Sequence, residues 1–124
     1  MQLKIASAAL LGLSLTLLSP AVGFAQHPPV QVTDHIYQAA YAHNVDANWL
    51  LRTAWCESKY DPNVTSQNKL YHGLYQFSWR TWNWMSAQAG YEGRSPYDPE
   101  AAAQTTAWAF ANGHRNHWPR CSYA

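Results

Sequence analysis

The sequence has little charge of either sign: 12% of its residues are Asp, Glu, Lys or Arg, with eight basic residues against seven acidic ones. A nucleic-acid partner asks for a basic face, so no nucleic acid is expected here. Long apolar runs are also missing. The longest, Ile5 to Leu18, falls short of the about 18 residues that a membrane-spanning helix needs. The two cysteines, Cys56 and Cys121, allow at most one intramolecular staple. There are no internal repeats, and the one biased tract is the Ala-rich stretch from Ala101 to Ala111.

The N-terminal run is instead flanked as a signal peptide is. Lys4 precedes it, Ser19-Pro20 breaks it, and Gly23-Phe24-Ala25 places small residues at both positions that a signal peptidase reads. Residues 1–25 are therefore expected to be removed on export. The mature chain is then secreted, extracellular or periplasmic, with no stable insertion into the membrane. Loss of Lys4 makes it formally neutral. Its roughly 100 residues make one domain, residues 33–124 after an extended leader at 26–32, expected to act as a monomer. A core that small is marginal without a staple, which the two cysteines can supply in an exported protein. Closing that loop would stabilise by about 4 kcal/mol in the chain-entropy model.

Aromatic residues make up 15% of the chain and include seven Trp. Some must fill the core. Seven is more than so small a core can bury, and exposed Trp and Tyr lining a groove offer flat faces on which sugar rings stack. A carbohydrate ligand is the expectation.

A candidate for chemistry lies in Trp55-Cys56-Glu57-Ser58, which closes a helical apolar run. A helical Glu is ordinarily a solvated charge. Helical steps back from Glu57 reach Ala54 and Leu50, however, which puts the carboxylate at the edge of an apolar stripe. It also falls in the last turn, where the helix dipole favours a cation, and beside Cys56, a residue type usually buried. Desolvation disfavours the charged form, so Glu57 is expected to hold its proton and serve as a general acid.

The remaining pattern predicts mostly helix. Thr33 caps a first helix over 34–43 that Asn44 ends, and Asp46 caps a second from Ala47 to about Ser58, with Leu50, Leu51, Ala54 and Trp55 inward. A turn-rich stretch follows. Leu70 to Phe77, short and rich in aromatics, reads as a strand or hairpin arm at the wall of a cleft. Ser78 caps a third helix over 79–89 ended by Gly90, and Asp98 caps a fourth with Pro99 in its first turn, stopped by Asn112-Gly113. The expected fold is α+β, mostly α, with four or five short helices and a small β element beside the cleft.

Three blocks carry a resemblance: Cys56-Glu57-Ser58; Gly73-Leu74-Tyr75-Gln76-Phe77-Ser78 with Thr81-Trp82; and Trp118-Pro119-Arg120-Cys121. In this order they resemble the transglycosylase-like domain of resuscitation-promoting factors and, more loosely, the soluble lytic transglycosylases and goose-type lysozymes, over most of 34–121. The resemblance implies a lysozyme-like fold, peptidoglycan glycan strands as partner and substrate, Glu57 as the catalytic acid, and a disulfide between Cys56 and Cys121. It names Ser66, Gly73, Tyr75, Gln76, Phe77, Asn112 and Trp118 as substrate contacts, with Gln76 and the backbone around Tyr75 near the scissile bond. Where soluble lytic transglycosylases carry Ala-Tyr-Asn-Ala-Gly, this chain has Ala109-Phe110-Ala111-Asn112-Gly113. The tyrosine hydroxyl is missing and the asparagine is displaced.

Three functions remain open on the sequence. In a lytic transglycosylase one carboxylate suffices, because the substrate's N-acetyl group assists and the muramyl 6-hydroxyl closes a 1,6-anhydro ring. A hydrolytic muramidase needs a second carboxylate, for which Asp61 is the candidate, since Asp98 and Glu100 read as helix-start residues. A non-catalytic glycan-binding module would leave Glu57 structural. No cofactor is expected. His114 and His117 are three apart and could ligate a metal, but no third ligand accompanies them. Ser58 lacks a His at a partner spacing and is expected to cap or support rather than attack.

Overall fold

Three of the four predicted helix starts are short polar side chains that satisfy backbone N–H groups left free in a first turn, and the fold follows from how those starts are used. In the computed structural model, which describes residues 30–123, the elements are α1 (Val32–His43), α2 (Ala47–Ser58), α3 (Trp79–Ala89), α4 (Pro99–Ala111) and a 3-10 turn, Arg115–His117. The expected signal peptide and residues 26–29 of the expected leader lie outside the described residues.

Asp46, Ser78 and Asp98 cap α2, α3 and α4 by accepting from Asn48, Thr81, and Glu100 with Ala101. Helix α1 starts earlier than expected. Gln31, not Thr33, is its N-cap, and the Gln31 N–H is taken up by the Asp34 carboxylate at 3.0 Å. Thr33 and Asp34 thus lie inside the helix. Asn44, Lys59 and Gly90 end the first three helices in the left-handed conformation.

Helix α4 is the centre of the domain. Its buried residues, among them Ala101, Ala102, Ala103, Ala107 and Ala109, fall on most sides of the helix, as they do when neighbours surround it. Small side chains let those neighbours come close: α1 packs on it most extensively, then α3, with α2 touching it along a shorter line. The larger core residues Ile36, Leu50, Leu74, Tyr75, Trp82 and Met85 fill the space around it. As expected from their number, the tryptophans divide: Trp82 and Trp118 are buried, and Trp49, Trp55, Trp79 and Trp84 are exposed.

Two expectations about packing need correction. Trp55 does not face inward: it lies a helical step round from buried Ala54, half exposed, with Tyr60 at 5.3 Å and the Lys59 ammonium 4.8 Å above its ring. Cys56 is exposed too, and Cys121 is the buried member of the Cys56–Cys121 disulfide.

The expected β element is absent. Among the described residues no strand forms, and the segment makes two isolated bridges, Thr65 to His72 and His72 to Phe77. The reason is a chain reversal inside the stretch read as one strand. Gly73 and Gln76 both have positive φ, of 80° and 54°, and the turn between them returns Phe77 to His72, so only single residues remain to pair. Leu74 and Tyr75 at the turn both enter the core, where a strand would have alternated them. The class is mostly helical, with a tight turn in place of the β element.

Candidate active site

Glu57 reaches the site because α2 ends there. Leu50 and Ala54 anchor the inner face of α2, and Glu57, a turn further on, sits half-buried where that face opens. Lys59 and Tyr60, both with positive φ, then turn the chain away. Ser58 does not support the acid directly, since its hydroxyl donates to the Ala54 carbonyl at 3.0 Å. Burial pushes the Glu57 carboxyl up to about 7, from 4.5. A group raised in this way stabilises the fold while protonated and costs stability once ionised. Glu57→Gln is therefore expected to match the wild-type melting temperature at pH 4, and to exceed it by about 5 °C at pH 9, read by thermal scans in matched buffers.

The second wall is the turn at 73–76. Gly73 is required there: its φ is 80°, and a Cβ would meet the Pro96 carbonyl oxygen at 2.0 Å. The Gln76 amide nitrogen donates to the Val64 and Gly73 carbonyls at 3.1 and 2.9 Å. This fixes the side chain and leaves its carbonyl oxygen for a ligand. The Tyr75 ring has no exposed surface, so the expectation that its side chain lines the cleft is not met. Its hydroxyl donates instead to the Leu50 carbonyl of α2 at 3.1 Å.

The third wall is 118–121. Trp118 donates from its indole nitrogen to the Tyr75 carbonyl at 2.8 Å and packs edge-on against Phe77 and Phe110. The disulfide ties Cys121 back to α2. Just before this wall, Arg115 donates to the Ser122 carbonyl, and its guanidinium lies 4.0 Å from the Trp49 ring and 4.3 Å from that of Tyr123.

Between these walls is a cleft of about 530 Å³ in which Glu57 and Gln76 meet Tyr71, His117, Trp118 and Arg120. A hollow of about 60 Å³ shares Tyr71, Gln76, His117 and Trp118 with it and reaches Ser78 and Thr81 at the start of α3. Of the residues lining the cleft, Glu57 alone has a carboxylate. Asp61 is exposed and accepts from the Asn63 N–H at 2.9 Å, a turn-forming contact. Asp98 caps α4 and pairs with Arg94, which also lies 3.7 Å from Glu100.

The residues expected at the site divide. Glu57, Gln76, Trp118, Cys56 and Cys121 come together in the cleft, and Phe77 borders the smaller hollow with a ring that is almost wholly buried. Gly73 and Tyr75 stand behind the wall. Ser66 and Asn112 lie elsewhere. Ser66 accepts from the Tyr71 N–H at 3.0 Å and donates to Asn68, while exposed Asn112 donates to the Trp108 carbonyl at 2.8 Å. Tyr71 lines the cleft from within the Leu70 to Phe77 stretch expected at its wall, whereas His117 and Arg120 are cleft residues beyond those expected, although Arg120 stands in the last of the three blocks.

A sequence model described as the transglycosylase SLT domain matches residues 34–120, most of the chain and all of the cleft walls but Cys121. The chain belongs to the transglycosylase SLT domain family. Comparison with curated proteins and with solved structures gave no significant match. Membership accords with the transglycosylase-like resemblance and the lysozyme-like, mostly helical fold. For an SLT domain the implied activity is that of a lytic transglycosylase on peptidoglycan, and so a place outside the cytoplasm. The disulfide is consistent with such a place. No helix among the described residues is long and apolar enough to cross a membrane.

Proposed function

We propose that this SLT domain is a secreted lytic transglycosylase that cleaves the β-1,4 bond between MurNAc and GlcNAc and leaves a 1,6-anhydro-muramyl end. The observation that carries this reading is the lone carboxylate of the cleft, desolvated enough to keep its proton near neutral pH. Glu57 gives that proton to the bridging oxygen as the bond to C1 breaks, and the N-acetyl group of the same sugar steadies the positive charge at C1. The resulting carboxylate, with its raised affinity for a proton, then takes the hydrogen of the muramyl 6-hydroxyl as that oxygen attacks C1. Acid and base are one group, the proton balance closes, and no cofactor enters. Gln76 and the backbone around Tyr75 hold the sugars beside Glu57, exposed Tyr71 offers an aromatic face, and buried Trp118 backs the wall. Hydrolysis would need a second carboxylate to activate water, and the candidate Asp61 is occupied in its own turn.

Digestion of purified peptidoglycan in heavy-oxygen water, followed by mass analysis, tests the reaction type. The expected product is anhydro-muropeptide without label at the anomeric carbon. Asp61→Asn is expected to keep that product and to slow turnover less than about tenfold, whereas loss of a general base costs about 100-fold or more. A labelled reducing end in the wild-type digest would replace this mechanism with hydrolysis.

A further inference from the structure

The cleft holds one permanently charged cation, Arg120. Arg94 is engaged with Asp98 and Glu100, and Arg115 with the Ser122 carbonyl and the rings of Trp49 and Tyr123, while Arg52 and Arg80 lie outside the cleft lining. Arg120 is exposed, and the ion pairs among the described residues do not include it. Its backbone is nonetheless fixed, with the disulfide at the next residue and Trp118, hydrogen-bonded to Tyr75, two residues before.

A guanidinium held in place beside a cleft is suited to a carboxylate, whose two oxygens match its planar fork. The sugar backbone of a peptidoglycan strand is uncharged, and its carboxylates hang from the lactyl ether of MurNAc. We propose that Arg120 is a specificity-determining residue that receives a carboxylate borne on that lactyl arm. Two sources share this chemistry: the lactyl acid itself, free in strands stripped of peptide, and the acids of the stem peptide in strands that keep it. Glu57 is the one carboxylate in the cleft lining, and burial raises its hold on its proton, so the incoming anion meets less negative charge there than an ordinary glutamate would present. The inference rests on the glycan-strand reading above and adds what distinguishes one strand from another.

The test measures binding in Glu57→Gln protein, in which turnover is blocked, with and without Arg120→Gln. Three probes are titrated: neutral chitooligosaccharide, amidase-stripped glycan strands, and uncrosslinked strands that retain stem peptides. The expected result is that Arg120→Gln lowers the affinity for a carboxylate-bearing strand, relative to chitooligosaccharide, by about tenfold. Arg120→Lys, which keeps the charge and loses the fork, should lower that ratio by about threefold. A fall only on stripped strands assigns the contact to the free lactyl acid, a fall only on stem-bearing strands assigns it to the peptide, and a fall on both means that Arg120 receives either acid. An unchanged ratio, including equal losses on all three probes, overturns the proposal. Failure of every probe to bind the Glu57→Gln parent would instead overturn the glycan-strand reading beneath it.

Discussion

Glu57→Gln is expected to lower turnover of purified peptidoglycan by about 100- to 10,000-fold while leaving the circular dichroism spectrum and glycan binding unchanged. The amide keeps the shape of the side chain and cannot give up a proton. Wild-type kcat/KM should also carry a falling limb as pH rises through about 7, because the free enzyme must begin with Glu57 protonated and burial sets its affinity for the proton there. The sign is opposite to that of a carboxylate nucleophile, which would gain activity as it ionised. Retention of more than a few per cent of turnover in the variant would move the acid to another residue, and an activity rising through pH 7 would change the role of Glu57.

Glu57 could be found from sequence because its environment is set by a local period. Leu50 and Ala54 define the buried stripe of α2, and a residue a turn further along its edge inherits partial burial whatever lies across the cleft. The caps were legible for the same reason, as Asp46, Ser78 and Asp98 act within their own first turns. Gln31 was missed because both Thr33 and Gln31 precede the apolar run, and the choice turned on the reach of Asp34 back to the Gln31 N–H.

The opposite wall was less legible because its conformation depends on a distant loop. Leu70 to Phe77 has the composition of a strand, yet the Pro96 carbonyl occupies the space where any side chain at position 73 would stand, and the turn is fixed against it. Trp55 and Cys56 illustrate a related limit: both are residue types that usually go inside, and both lie outside because the adjacent stripe is already filled by Leu50, Thr53 and Ala54. Arg120 gave no periodic signal, since it becomes a cleft residue only when the disulfide brings the chain end to α2.

Tyr75→Ala is expected to destabilise the domain by about 3–5 kcal/mol, the range for truncating a large buried aromatic. Tyr75 links all three walls of the cleft. Its hydroxyl donates to the Leu50 carbonyl of α2, its own carbonyl accepts from the Trp118 indole, and its backbone forms part of the turn that carries Gln76. Burial pushes the phenol well above its ordinary range, so the hydroxyl remains a donor at any working pH. Tyr75→Phe keeps the ring and removes only that hydrogen bond, and should cost about 1 kcal/mol with most turnover retained. Denaturant unfolding of both variants reads the costs, and turnover measured where each remains folded reads the function. A loss below about 1 kcal/mol in Tyr75→Ala, joined to a large rise in KM, would place the ring among the substrate contacts. The expected pattern has stability fall first, with turnover following as the walls lose their common tie.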